Sequence, residues 1–296
     1  MTERTLPVVP GVEHRWIDVD GVSLHVAEAG TTHRSADRPT LVLLHGWPQH
    51  WFCWRHVMPA LAETHHVVAL DLRGAGWSDV PEGTDAYDKR VIADEVARAI
   101  EVLELDRPVL VGHDWGAWTS LLVASRHPGS ARGVVAAAIV APWKDVPWHQ
   151  MWRFAYQPIA GGPGGAFLHR RAGQMLLKTI FRAGAARRFR WPRSVREEYL
   201  ARFRDPARAR AGQAMYRAFL LKEIPKIGRG YARRVDDVPL LFLPGTGDLV
   251  LAPSLVRRVE GPPNVTVTEI AGTGHWIPEE RPAELVGRVR EFLRQF

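Results

Sequence analysis

Short β-like runs and longer stretches of helical spacing alternate along this chain. Residues 15–18 and 22–27 read as two strands, and Asp20-Gly21 between them is a hairpin turn. Residues 40–44, 67–70 and 109–111 are apolar throughout and end in polar or glycine-rich turns. Further strands are predicted at 133–140, 238–243 and 265–270. Between them, 54–63, 89–105, the stretch ending near Arg126, 254–259 and 283–296 carry apolar residues at helical intervals. In 89–105, Val91, Ile92, Val96, Ile100 and Leu103 fall on one side. Strands apolar on both faces and alternating with helices imply a mostly parallel, eight-stranded sheet covered by helices on both faces, an α/β fold.

The alternation breaks at Pro142-Trp143. From there to about Gly230 no strand is legible. The stretch is helical by periodicity, rich in Arg, Ala, Trp and Phe, and interrupted by Gly161-Gly162-Pro163-Gly164-Gly165. The expected organisation is therefore a core of 1–141 and 231–296 with a helical cap, 142–230, inserted into it. No internal repeat or low-complexity tract is visible.

Length and composition suit this plan, since 296 residues can bury one core and carry a lid. The single cysteine, Cys53, excludes an intrachain disulfide and a cysteine-based zinc site, and is read as a buried small hydrophobe. The net charge of +7 invites thought of nucleic acid, but the cations are scattered arginines with no nucleic-acid motif. They read as a solvated basic surface, with no nucleic-acid partner. Met1 to Pro7 lacks an apolar signal segment and no run is long enough to span a bilayer, so a cytoplasmic location is expected.

In such a sheet, chemistry collects at the carboxyl ends of the strands. There the strand at 109–111 runs into Gly112-His113-Asp114-Trp115-Gly116. Glycines flanking a central residue two positions away on each side mark a sharp strand-to-helix turn that pushes that residue outward. The residue is Asp114, and a carboxylate nucleophile makes an ester with carbon. A base must then activate water. His275, in Gly272-Thr273-Gly274-His275-Trp276, is the candidate, with Asp248 in Pro244-Gly245-Thr246-Gly247-Asp248 to orient it. Asp248 as a helix N-cap before Pro253 is the competing reading. His45 and His113 adjoin the site and are expected to hold loops by hydrogen bonds. The Asp71-Leu72-Arg73-Gly74 turn is expected to be architectural, and His65-His66 structural rather than metal-binding.

With these motifs the chain, from about residue 15 to its end, resembles the α/β-hydrolase superfamily. His45-Gly46-Trp47-Pro48 together with the Asp114 turn resembles its epoxide hydrolase branch. The resemblance implies backbone N–H groups of Trp47 and Trp115 as an oxyanion hole. It also implies two ring-opening tyrosines: Tyr156 in Phe154-Ala155-Tyr156-Gln157, and Tyr216 in Ala214-Met215-Tyr216-Arg217, where Met215 stands for the family's Trp. Tyr199, beside Glu197 and Glu198, is expected at the surface. Trp143, Trp148 and Trp152 are expected to wall an apolar substrate channel.

The function so implied is the opening of a small-molecule epoxide to a vicinal diol through an Asp114 ester, with no cofactor and no metal. A homodimer is compatible with this reading. The alternative is a haloalkane dehalogenase using the same carboxylate, in which Trp115 and Trp47 would present indole N–H groups to halide. A catalytically silent binding protein on the same fold is the remote alternative.

Overall fold

A computed structural model describes residues 6–35, 37–171, 174–227 and 229–296. Residues 1–5, which carry most of the expected leaderless N-terminus, lie outside that range. Eight strands form one sheet: β1 (Glu13–Val19), β2 (Val22–Ala29), β3 (Leu41–Leu44), β4 (Val67–Leu70), β5 (Val109–His113), β6 (Gly133–Ala137), β7 (Leu240–Leu243) and β8 (Val265–Val267), in the order β1-β2-β4-β3-β5-β6-β7-β8. β1 pairs β2, and β2 pairs β4, antiparallel. Every other pairing is parallel. The hairpin forms as expected: Asp20 and Gly21 both take positive φ, 52° and 84°, the backbone of a tight turn matched to strand twist.

Helices α1 (Met58–Ala62), α2 (Lys89–Val102), α3 (Trp115–Arg126), α9 (Pro253–Val256), α10 (Ile277–Glu280) and α11 (Pro282–Leu293) belong to the sheet framework. Between β6 and β7 lie α4 (Tyr156–Gly161), α5 (Gly165–Arg170), α6 (Met175–Gly184), α7 (Arg193–Arg202) and α8 (Pro206–Ala218), with no strand among the described residues. This is the helical insertion. β3 to β7 are buried at every residue, which is why they read as unbroken apolar runs.

Three elements are shorter than their patterns suggest. The helix expected over 54–63 is a 3₁₀ turn, Trp51–Trp54, followed by the five-residue α1 with Pro59 in its first turn. β8 stops at Val267 and β6 at Ala137; beyond β8 a single bridge, Gly245 to Ile270, continues the pairing. Asp88 and Asp205 cap α2 and α8 by accepting from the N–H two residues on. α8 continues without a break into a π-helical turn, Phe219–Glu223, which re-aims the side chains that follow.

Candidate active site

The turn between β5 and α3 is as tight as its glycines suggest. A Cβ on Gly112 would lie 2.3 Å from Ala117 Cα, and one on Gly116 would lie 2.0 Å from the Leu44 carbonyl oxygen. Asp114, between them, takes φ 51° and ψ −123°, a strained backbone for a residue with a side chain. That conformation lifts its carboxylate off the end of β5.

Asp114 Oδ2 accepts the Trp47 backbone N–H at 3.0 Å, and Oδ1 lies 3.6 Å from His275 Nε2. Trp115 opens α3, so its N–H is one of the donors that a helix start leaves without an intrahelical partner. The other ring nitrogen of His275, Nδ1, is 2.8 Å from Asp248 Oδ2. Asp248 also accepts from Val250 and Leu251 N–H through Oδ1, so it holds its own loop and the imidazole together. The two readings of Asp248 are thus not exclusive.

The electrostatics couple these groups. Burial opposes charge on His275, but the Asp248 carboxylate, with Asp114 and the hydrogen bonds to both, raises its pKa to about 10. Burial works against ionisation of Asp248, yet the His275 charge and hydrogen bonds hold its pKa below the usual carboxylate range. His113 is pushed down to about 4 by burial and by the His275 charge, so it is neutral. Its Nε2 lies 2.7 Å from the His275 carbonyl, which fixes that loop. His45 accepts the Leu72 N–H at 3.0 Å and is likewise a loop holder. Asp71 is architectural as expected: its two oxygens accept the Trp51 and Trp77 N–H groups at 2.7 and 3.0 Å. His66 is buried against Glu28 and Thr40.

Tyr156 opens α4 and Tyr216 lies near the end of α8; their rings meet edge to face, with centroids 5.7 Å apart. Tyr216 also packs edge-on to Trp47 at 4.9 Å and Trp115 at 5.9 Å, directly above the Asp114 turn. Burial raises the pKa of both phenols, and the Asp114 charge adds to it. A cavity of about 290 Å³ opens beside them, walled by Asp114, Trp115, Tyr156, Phe154, Phe219 and other mostly apolar side chains. That size suits a small organic molecule.

Two sequence expectations need correction. Tyr199 is fully buried, not at the surface: its hydroxyl donates to Glu279, which also holds Arg55 through two contacts of 2.7 Å. None of Trp143, Trp148 and Trp152 is in the cavity wall: Trp148 and Trp152 are 86% and 65% exposed, and Trp143 packs against the core. Met151 and Phe154 of the same segment take the lining positions.

Sequence reasoning also missed supporting residues. Glu280 accepts from Gly274, Trp276 and Ala186 backbone N–H groups, binding the His275 loop to the insertion. The buried Lys89 ammonium donates to the Met215 carbonyl at 3.0 Å and to Glu223 at 3.3 Å, and sits 4.4 Å above the Trp115 ring. Tyr231 donates to the same Glu223. The π-helical turn puts Phe219 against Trp115 and Glu223 against Lys89 at once, so this buried pair ties the insertion to α2 next to Tyr216. A lysine at the first position of a helix carries no mark of such a partner 134 residues away.

A strained carboxylate elbow, an Asp–His pair and a lid over the carboxyl ends of a mostly parallel sheet define a class. The alpha/beta hydrolase fold family model matches residues 39–282. The chain belongs to that family, and it is a homologue of the epoxide hydrolases within it. Epoxide hydrolase A of Mycobacterium tuberculosis is 31% identical, over 94% of this chain and 96% of its own. A fluoroacetate dehalogenase of a Burkholderia species is 28% identical, over 96% and 94%. Among solved structures, wild-type Cfl2 of Burkholderia cenocepacia superposes with a TM-score of 0.82 at 32% identity, covering 98% of each chain.

Proposed function

We propose that the protein hydrolyses a small, mostly apolar epoxide to a vicinal diol. The observation that carries this reading is the shared cavity wall of Asp114 and Tyr156, with the Tyr216 phenol packed beside Tyr156. A carboxylate that attacks carbon and a neutral phenol that protonates the departing oxygen are the two groups an epoxide needs on opposite sides.

Asp114 Oδ1 attacks a ring carbon, the C–O bond of the epoxide breaks, and a phenol of the Tyr156–Tyr216 pair gives its proton to the nascent alkoxide. Oδ2, held by the Trp47 N–H, becomes the ester carbonyl oxygen. Ester formation removes the Asp114 charge that helps keep His275 protonated. His275 then gives its proton to the phenolate left by ring opening, and as a neutral imidazole oriented by Asp248 it takes a proton from water as that water adds to the ester carbon. The oxyanion forms on Oδ2, facing Trp47 N–H and Trp115 N–H. Collapse expels Oδ1 with the diol, which takes the proton held by His275; the Asp114 acid then returns a proton to His275, and the water oxygen remains in the carboxylate.

The dehalogenase reading has two points in its favour, the Burkholderia relative and the buried Trp115 indole N–H, which has no hydrogen-bond partner among the described residues and belongs to a side chain of the cavity wall. It needs donors for a halide, and a halide is too weak a base to need a phenol's proton in order to leave, so the paired phenols fit an alkoxide better. The Trp47 indole N–H has no hydrogen-bond partner among the described residues, but it lies against Gly212 on α8, where an added Cβ would be 2.9 Å away. Among the described residues the cavity wall holds no arginine, and its one lysine, Lys144, stands next to Asp145 in the same wall.

Single turnover in heavy-oxygen water with a small aryl epoxide tests the proposal. Attack by Asp114 gives an unlabelled first diol and label in the protein. In His275→Gln, ring opening persists and the ester accumulates, seen as a mass increase equal to the epoxide. Label in the first diol, or halide release from bromoalkanes without epoxide turnover, overturns it.

A further inference from the structure

The charge of the chain is segregated. Residues 142–230 hold 19 of the 39 lysines and arginines but only 5 of the 32 aspartates and glutamates. The insertion segment is therefore strongly cationic, while the remainder of the chain is net acidic. The same segment also supplies seven of the thirteen exposed large apolar side chains among the described residues, including Trp148, Trp152, Ile159, Phe167, Met175 and Leu221. Two independent properties thus concentrate on one module.

They also adjoin one another. An open groove of about 1010 Å³ on α6 and α7 is lined by Lys178, Arg182, Arg187, Arg190 and Arg196, with Met175, Phe189 and Trp191 between them and no carboxylate. Lys178 is shared with a second groove that adds Arg170, Arg171 and Arg204. Arg170 ends α5, the helix from which Phe167 projects, and α5 packs on both α4 and α6. Ahead of α4, Met151 both lines the substrate cavity and reaches solvent, beside Trp148 and Trp152.

We infer that the helical insertion docks on the surface of an anionic lipid bilayer. Cations seek phosphate headgroups, while tryptophan, phenylalanine and other apolar side chains enter the acyl boundary; the insertion presents both. A nucleic acid would satisfy the cations but leave Ile159, Phe167 and Leu221 uncovered or badly matched. Met151, exposed beside Trp148 and Trp152, brings the cavity's wall to the insertion's surface, so docking through these side chains would let an apolar epoxide dissolved in the bilayer enter without crossing bulk water. This last step rests on the proposed epoxide reading; the docking itself does not.

Cosedimentation of the full chain with vesicles tests the inference. The protein is expected to pellet with phosphatidylcholine vesicles containing phosphatidylglycerol and to stay in solution with pure phosphatidylcholine. Arg187→Gln with Arg190→Gln should weaken binding by about 25-fold, about fivefold for each cation lost. Trp148→Ser with Phe167→Ser should weaken it by at least about tenfold, a loss that persists at high salt. Both double variants should keep wild-type turnover of a short, water-soluble epoxide but lose the preference for a vesicle-dissolved one. Absence of turnover in the unaltered protein would sink the epoxide reading and leave the docking measurement standing. No pelleting, equal binding to neutral vesicles, or binding indifferent to the Trp148/Phe167 pair overturns the docking. Tighter capture by single-stranded RNA homopolymer, unaffected by that pair, overturns it in favour of a nucleic-acid surface.

Discussion

Gly46→Ala probes the proposed nucleophile, Asp114, without replacing it. A Cβ at Gly46 would lie 2.5 Å from Asp114 Cβ and 2.6 Å from Asp114 Oδ2. Ordinary carbon contacts begin at about 3.5 Å, so the carboxylate must retreat by about 1 Å. Gly46 is outside the left-handed region, and the backbone itself accepts alanine. The 3.0 Å bond from Trp47 N–H to Oδ2 then stretches to about 4 Å, past hydrogen-bonding range. Misplacing a reacting group by about 1 Å costs about 10²-fold, and losing one oxyanion donor costs about 10²–10³. The expected fall in kcat/KM is about 10²–10³, equivalent to about 2.7–4 kcal/mol of transition-state stabilisation. Rapid mixing with a single-turnover load of epoxide would follow ring opening through tryptophan emission, since Trp47, Trp115 and Trp118 surround the turn. A melting temperature within a few degrees of wild type would localise the effect. Ring opening within about threefold of wild type, in a variant that folds normally, would refute Asp114 as the attacking group.

Tyr156→Phe and Tyr216→Phe should each slow ring opening, and the double variant should lose about 10²–10⁴, the usual contribution of a positioned acid; steady-state kinetics on a weakly activated epoxide would check it. Lys89→Met or Glu223→Gln alone should cost about 3–5 kcal/mol by stranding a buried partner, whereas the double change costs less; urea unfolding of the four proteins would close the cycle. Glu28 is held down to about 2, first by the His66 hydrogen bond, then by Arg15 acting against burial. Its contribution to stability is complete above its ordinary value of 4.5 and fades as pH falls towards about 2. Glu28→Gln should therefore flatten the acid limb of a melting-temperature profile. His275 has the opposite sign: its contribution is complete below 6.5 and fades as pH rises towards about 10, so Asp248→Asn should flatten the alkaline limb.

What could be read before the coordinates were known follows from range of interaction. Gly112, Gly116 and the Asp20-Gly21 turn announce themselves because local backbone geometry demands small or permissive residues there. The order of Asp114, Asp248 and His275 after β5, β7 and β8 is legible because β5 and β7 are buried at every residue and read as unbroken apolar runs. Tyr199 was misread because Glu197 and Glu198 advertise water, while its partner Glu279 lies 80 residues on. The Lys89–Glu223 pair is hidden for the same reason, and a π-helical register shift has no periodic signature. Trp148 and Trp152 were assigned to the cavity by residue type alone, and type does not say which way a side chain faces.

The backbone of Asp114 carries a consequence for the protein's history. A non-glycine residue at φ 51° and ψ −123° stores on the order of 1–3 kcal/mol, a burden that the proposed role of Asp114 in turnover would account for. Glycine at that position relaxes the hinge and hardens the molecule against heat while ending its chemistry. Under that proposed role, a lineage released from selection for activity would slide towards a sturdier, inert descendant.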